Sequence, residues 1–264
     1  MDQGKGTVKR RIYATDLDNT LIYSHKFIAQ HQIPLAEVSC VEQYNGKDIN
    51  YVHNEVAKGL GNFKASDCLF MPVTTRRTEQ YLRINLGFTP EYAIVSNGGV
   101  ILRNNQPLAE WTATVNNAID RDAMYEIADM CRCTFLSITH DVTICDSCFI
   151  FFKLENPDEF IAFIPALQQL FPTWTFVNYS QKCYAFPKIC SKGGALKWLA
   201  EHLNCRIAIA TGDSTLDTSM LDTARLAVVP SHSSLCSSRY TYVDGGMLSP
   251  LNTMKLLFSN KEEK

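Results

Sequence analysis

Net charge is almost missing from this chain: 25 lysines and arginines stand against 27 aspartates and glutamates, leaving −2 over 264 residues. Sequence-independent binding of nucleic acid therefore has no electrostatic source, and no nucleic-acid partner is expected. Long apolar runs are missing too. The densest, Cys148 to Phe152, stops at Lys153 and Glu155, well short of the roughly 20 residues that cross a bilayer as a helix. No membrane partner is expected. The opening Met1-Asp2-Gln3-Gly4-Lys5-Gly6 lacks the apolar stretch of a secretory signal,. A cytoplasmic protein is expected, its ten cysteines reduced and mostly buried as small hydrophobes. Neither GxGxxG nor a GxxxxGK-Ser/Thr run occurs, so two nucleotide-binding signatures are excluded. Internal repeats and low-complexity tracts are absent as well; only Asn260 to Lys264 reads as a frayed tail,.

What remains is ordinary globular material, 46% hydrophobic and 20% charged. It is enough for a substantial core in one large domain or two small ones. The most chemically loaded stretch is Asp16-Leu17-Asp18-Asn19-Thr20. It follows Arg11-Ile12-Tyr13-Ala14-Thr15, whose β-forming Ile and Tyr predict a buried strand. Residues i and i+2 of an extended chain share a side, so Asp16 and Asp18 are expected to face one cleft. Two like charges about 4 Å apart repel by roughly 4 kcal/mol at an effective dielectric near 20. Such a pair calls for a cation, a shared proton or solvent. An acidic turn that merely ends a strand gives the same local pattern.

Further along, Val41 to Tyr44 and Asp48 to Val52 around Asn45-Gly46 predict a hairpin, read as a local insertion. Asn54 to Leu60 predicts a short helix ending at Gly61. Cys68 to Val73 predicts a second buried strand, with Pro72 near its end. Thr78 to Leu86 suits a helix closed by Gly87. Tyr92 to Val95 is expected as a third strand of a parallel sheet. Val100 to Leu102 and Pro107 to Trp111 read as another hairpin. From Thr112 the texture changes, with a helix at Asp120 to Met130 and a strand at Phe149 to Leu154. A second helix, Asp158 to Leu170, and paired strands Trp174 to Asn178 and Lys182 to Phe186 complete the block. Ala123, Ile127 and Met130, and then Phe160, Phe163, Ile164 and Leu167, give those helices apolar faces. Afterwards come a helix at Lys192 to Leu203 and strands at Arg206 to Ala210 and Ala224 to Val229. Cys131, Cys133, Cys145 and Cys148 could offer four thiolates to zinc. The one-residue spacing of the first pair, at a helix end, favours unrelated free thiols.

Four features fall at strand ends or at a helix start. Asp16 and Asp18 end the first strand, and Thr74 ends the second. Asp213 ends a later strand, with Asp217 one helical turn on. Lys192 opens a helix, where the dipole disfavours a cation unless an anion lies between. Each alone has a bland reading: a solvated lysine, a turn hydroxyl, a capping pair of carboxylates.

Together, Asp16-Leu17-Asp18-Asn19-Thr20, Thr74, Lys192 and Gly212-Asp213-Ser214-Thr215-Leu216-Asp217 resemble the four motifs of the haloacid-dehalogenase-like (HAD) phosphohydrolases. Ser96-Asn97-Gly98-Gly99-Val100-Ile101 and Ser191-Lys192-Gly193-Gly194-Ala195-Leu196 resemble the Cof-type branch, which includes sucrose-phosphate phosphatases. The resemblance covers most of the chain. It departs in a long stretch between Asp18 and Thr74, in Thr75 where Thr-Gly-Arg is usual before Arg76, and in Leu216 for an asparagine.

The resemblance implies an α/β fold: a doubly wound, mostly parallel Rossmann-like core of residues 1–111 and 188–264, with an α/β cap of residues 112–187. It implies a phosphatase acting on a small phosphorylated metabolite, sugar-like, with a phosphomutase of the phosphomannomutase type and a non-catalytic relative as alternatives. Asp16 would be the nucleophile and Asp18 the general acid and base. Mg2+ would be held by Asp16, the Asp18 carbonyl and Asp213, with Asp217 in support. Thr74, Thr75 and Lys192 would grip the phosphoryl oxygens. Arg76, Asn97, Gly98, Tyr179, Lys182, Tyr184 and Lys188 are candidate cleft contacts by position.

Overall fold

The structure, a computed structural model, describes residues 10–259; the opening hexapeptide and the tail Asn260 to Lys264 lie outside them. The first third of the chain forms β1 (Arg11–Thr15), β2 (Tyr23–Ser24), α1 (His25–Gln30), β3 (Val38–Tyr44), β4 (Lys47–His53), α2 (Asn54–Leu60), β5 (Cys68–Pro72) and α3 (Thr78–Leu82). Then come β6 (Tyr92–Val95), β7 (Val100–Arg103), β8 (Gln106–Pro107), α4 (Ala109–Ala118), α5 (Arg121–Thr134), β9 (Ile138–Cys145) and β10 (Phe149–Leu154). The rest is α6 (Asp158–Leu170), β11 (Trp174–Tyr179), β12 (Lys182–Pro187), α7 (Lys192–His202), β13 (Arg206–Thr211), α8 (Thr218–Leu221), β14 (Leu226–Pro230), β15 (Tyr240–Val243) and α9 (Ser249–Ser259).

A five-stranded parallel sheet in the order β15-β14-β13-β1-β5 is the core. All of β1 is buried because both its faces are covered: Ile12 and Ala14 pack into one apolar cluster, Tyr13 into another. That explains an apolar run without polar alternation. Pro72 is tolerated because β5 is the outer strand of this sheet, where a missing N–H breaks no ladder,. The fold is thus a Rossmann-like α/β core with an inserted cap, as the sequence predicts.

The cap carries a four-stranded antiparallel sheet in the order β11-β12-β10-β9. Alternation along β10 divides its faces: Ile150, Phe152 and Leu154 are buried among Ile127, Phe135 and Phe160, while Phe149, Phe151 and Lys153 line the cleft,. At the β9–β10 turn, Asp146 accepts from Thr78 N at 2.7 Å and Thr78 Oγ1 at 2.8 Å, and from Ser96 Oγ. The cap is thereby latched to the core. The hairpin β3–β4 forms as expected, with β2 as a third strand, and it closes one side of the cleft.

Three expectations are corrected. Tyr92–Val95 pairs antiparallel with β7 and meets the parallel sheet through one bridge, Val73 to Ile94. Pro107 to Trp111 is not a strand arm, since α4 starts at Ala109; Trp111 packs its ring against Trp198 and donates Nε1 to Gly98 O at 3.0 Å. Helix α3 stops at Leu82, not at Leu86. The strand β9 was not anticipated, because an edge strand with a half-exposed pattern lacks a clean apolar period,. β15 and α9 were likewise not anticipated.

Candidate active site

Strand β1 delivers Asp16 to the carboxyl edge of the sheet, where its N–H donates to Thr211 O at 2.8 Å. The chain then turns sharply. Leu17 O accepts from the N–H groups of Thr20, Leu21 and Ile22, and Asn19 takes φ +57°, a left-handed setting that asparagine tolerates,. Beside it, Val73 N donates to Thr15 O and Thr74 N to Ile94 O, both at 2.8 Å. These bonds fix Thr74 next to Asp16. Thr74 Oγ1 accepts from Arg76 N at 3.2 Å, which leaves its hydroxyl proton for the cleft.

Lys192 is the first residue of α7, capped by Ser191, whose Oγ accepts from Gly194 N. Its side chain is only 2% exposed, and Nζ reaches Asp16 Oδ1 and Asp217 Oδ1, each at 2.6 Å. Burial pulls its pKa down, but the two carboxylates push harder, and the net shift is upward,. The ammonium is locked on.

Asp217 is fully buried, and its Oδ2 accepts from Asp213 N at 3.2 Å, Ser214 N at 3.0 Å and Ser214 Oγ at 2.9 Å. Gly212 makes room: a Cβ there would lie 2.4 Å from Asp217 Cβ. Among the described residues the Asp213 carboxylate accepts only from the Thr20 hydroxyl, at a loose 3.4 Å. Carboxylate oxygens of Asp16, Asp213 and Asp217 all lie within 4.8 Å of one another. Burial and then the Asp217 charge raise Asp16 well above the usual carboxylate range, and the same causes push Asp213 up to about 7,. One lysine does not balance these carboxylates. The arrangement has room for more positive charge.

Asp18 behaves oppositely. Burial would raise its pKa, but Arg76 grips it with Nε at 2.7 Å and Nη2 at 2.8 Å, and the net shift is downward. Arg76 also donates Nη1 to Glu42 Oε2 at 2.6 Å. Glu42, on β3, is 1% exposed and takes Asn50 Nδ2 at 2.7 Å and Arg83 Nε at 3.2 Å. Sequence reasoning missed Glu42 altogether.

A cleft of about 800 Å³ is lined by Asp16, Asp18, Thr74, Thr75, Arg76, Lys192 and Asp213, and on the cap side by Tyr179, Lys182 and Tyr184. Three expected cleft contacts are corrected. Lys188 is exposed and does not line this cleft; its N–H is tied to Thr173 O. Asn97 donates Nδ2 to Cys190 O at 3.0 Å, bracing the loop before Lys192. Gly98, at φ +95°, lies so close to Ser191 that a Cβ would be 2.3 Å from its carbonyl oxygen. Neither lines the cleft: both support the start of α7, and Asn97 Oδ1 also accepts from the cleft residue Thr75 at 3.5 Å. The four cap cysteines do not form a metal cluster: among the described residues only Asp16, Asp213 and Asp217 converge in that way. Burial instead pushes the thiols of Cys131 and Cys145 up, to about 12 and about 11, so both stay protonated.

This core, with acids and a buried lysine at the carboxyl ends of parallel strands under an inserted cap, defines a hydrolase of the HAD superfamily. Among solved structures, a sucrose-phosphatase from Synechocystis sp. PCC6803, in complex with sucrose and phosphate, is similar at TM-score 0.70 and 16% identity, over 96% of this chain and 99% of that one. A haloacid dehalogenase-like hydrolase from B. subtilis matches at TM-score 0.66 and 17% identity, covering 93% and 99%. A HAD subclass IIB sugar phosphatase matches at 0.61 and 14%, covering 94% and 99%. No curated protein sequence matches significantly. The sucrose-6F-phosphate phosphohydrolase family matches residues 9–241, and the chain belongs to that family. It is a phosphoric monoester hydrolase.

Proposed function

We propose that this protein is a Mg2+-dependent phosphatase that hydrolyses a small, sugar-like phosphate monoester through a phosphoryl group carried on Asp16. The supporting observation is the convergence of Asp16, Asp213 and Asp217 on one point, with Lys192 buried against two of them. An all-oxygen donor set with surplus negative charge suits a hard divalent cation. Asp16, Asp213 and the Asp18 carbonyl would hold it. Asp217, with both oxygens engaged by the protein, supports from behind through Lys192 and the loop of residues 212–214. When bound, the ion neutralises charge on the phosphoryl oxygens.

The chain's own groups account for the steps. Asp16 Oδ2, which has no hydrogen-bond partner among the described residues, attacks phosphorus, and the ester oxygen leaves with a proton from Asp18,. Asp18 then takes a proton from the water that attacks phosphorus, which frees Asp16 and releases phosphate. Arg76 stores Asp18 ionised, the form needed in this second half; the first half requires Asp18 to leave that grip protonated. Lys192, Thr74 and Thr75 steady the phosphoryl oxygens. The cap, residues 112–187, would close the cleft over the core that the other described residues form.

The test is phosphate release from para-nitrophenyl phosphate and a panel of phosphorylated metabolites, with and without Mg2+. No release from any of them would refute the reading. A hexose 1-phosphate should give free phosphate; its conversion to the 6-phosphate would identify a mutase.

A further inference from the structure

The cap sheet turns a row of basic side chains toward the cleft. Across its antiparallel strands, Lys153 on β10 lies directly opposite Lys182 on β12, and on its other side opposite His140 on β9; Tyr179 on β11 lies opposite Lys182. All four line the same cleft as Asp16 and Lys192. In the neighbouring row, the Phe151 ring lies 5.3 Å from Tyr184 and 5.3 Å from His140, an aromatic shelf below the lysines.

Like charges set directly opposite across a sheet destabilise it, and such positions normally pair opposite signs. Here no acidic group lies within 4.0 Å of either lysine among the described residues. Of the acids that line the cleft, Asp18 pairs with Arg76, Glu42 with Arg76 and Arg83, and Asp16 with Lys192, while Asp213 stands in the candidate metal-binding cluster and pairs with neither cap lysine. The lysine pair thus lines the cleft with no ion-pair partner of its own among the described residues.

We infer that Lys153 and Lys182 bind a second anionic group of the substrate, so that the preferred substrates are phosphate monoesters whose leaving group carries a carboxylate or another phosphate. Phe151 and Tyr184 would pack against the carbon skeleton between the two anionic ends, and His140 would add a donor beside the lysines. The inference rests on the phosphatase reading and goes further in naming the charge of the leaving group. A neutral sugar would leave the lysine pair unpaired in a closing cleft.

The test compares kcat/KM within matched pairs: glucose 6-phosphate with 6-phosphogluconate, glycerol 3-phosphate with 3-phosphoglycerate, and fructose 6-phosphate with fructose 1,6-bisphosphate. At least one pair should favour its anionic member by about tenfold or more, the size of one charge-assisted contact. In a K153Q/K182Q double variant that preference should fall to within about twofold. The readout is a ratio taken on one enzyme preparation, so any general loss of activity cancels. The first two pairs report a carboxylate and the third a second phosphate. The inference is overturned if no pair favours its anionic member, or if the preference survives in the double variant, while para-nitrophenyl phosphate is still hydrolysed. Failure to hydrolyse any phosphate ester would overturn the phosphatase reading itself, and this inference with it.

Discussion

Replacing Lys192 by methionine keeps the length of the side chain and removes only the ammonium. In the native protein that ammonium touches Asp16 and Asp217 at 2.6 Å each, with the lysine 2% exposed. Breaking a buried pair by deleting one partner typically costs about 3–5 kcal/mol. A second route gives a similar figure. Lys192→Met can be relieved only if one carboxyl takes a proton, and holding a carboxyl with a pKa near 3.9 protonated at about pH 7 costs roughly 4 kcal/mol. For a domain of this size that is a fall in Tm of about 10 °C or more at neutral pH. The pH dependence follows from the same proton. The folded variant binds it and the unfolded chain does not, so the variant's stability falls as pH rises. Its deficit against the native protein should shrink by about 1.4 kcal/mol for each pH unit lowered from about 7 towards 5. Metal-free thermal melts of both proteins across that range provide the measurement. A Tm loss of only a degree or two, or a deficit that does not change with pH, would show that the lysine is not the buried counter-charge described here.

Asp16→Asn should abolish phosphate release while the melting temperature stays within a few degrees, since it removes a buried charge beside Asp217; measurable turnover would refute the nucleophile assignment. The metal-free protein should become more stable as pH falls from about 8 to 6, because the folded-state pKa of Asp213 is raised to about 7 and its contribution is lost as pH rises through that value,. Saturating Mg2+ should raise Tm and flatten this dependence, and chelation should remove activity; a pH-independent Tm without metal would contradict the surplus of charge. Gly98→Ala should destabilise by about 3 kcal/mol or more, because it combines a strained φ of +95° with a Cβ 2.3 Å from Ser191 O,. Urea titration reads that loss directly, and a neutral effect would mean the Gly98–Ser191 approach relaxes freely.

Asp16, Asp18, Thr74, Lys192, Asp213 and Asp217 were legible because each follows a buried apolar run or opens a helix, and strand ends can be read from local patterns. The hairpin β3–β4 was legible from Asn45-Gly46. Its purpose was not. Glu42 looks like one polar residue in an alternating strand, and its partners Arg76 and Arg83 lie 34 and 41 residues away. No local signature announces an ion cluster of that span. Trp111 misled for a related reason: its pull into α4 comes from Trp198 and the Gly98 carbonyl, both contacts of the folded state. By position alone Asn97 and Gly98 read as cleft contacts, and only their packing on Cys190 and Ser191 separates a brace from a substrate contact. The lysine pair on the cap sheet required the register of two strands separated by a whole helix.

Catalysis by this site depends on Asp16 accepting the phosphoryl group. Acetyl phosphate, whose leaving group needs no proton, should phosphorylate an Asp18→Asn variant that lacks the base for hydrolysis. After acid quench and proteolysis of that variant, mass spectrometry should find the phosphoryl group on the peptide containing Asp16, and it should disappear when Asp16→Asn is added. A phosphoryl group on another residue, or none on the enzyme while phosphate is still released, would contradict the account.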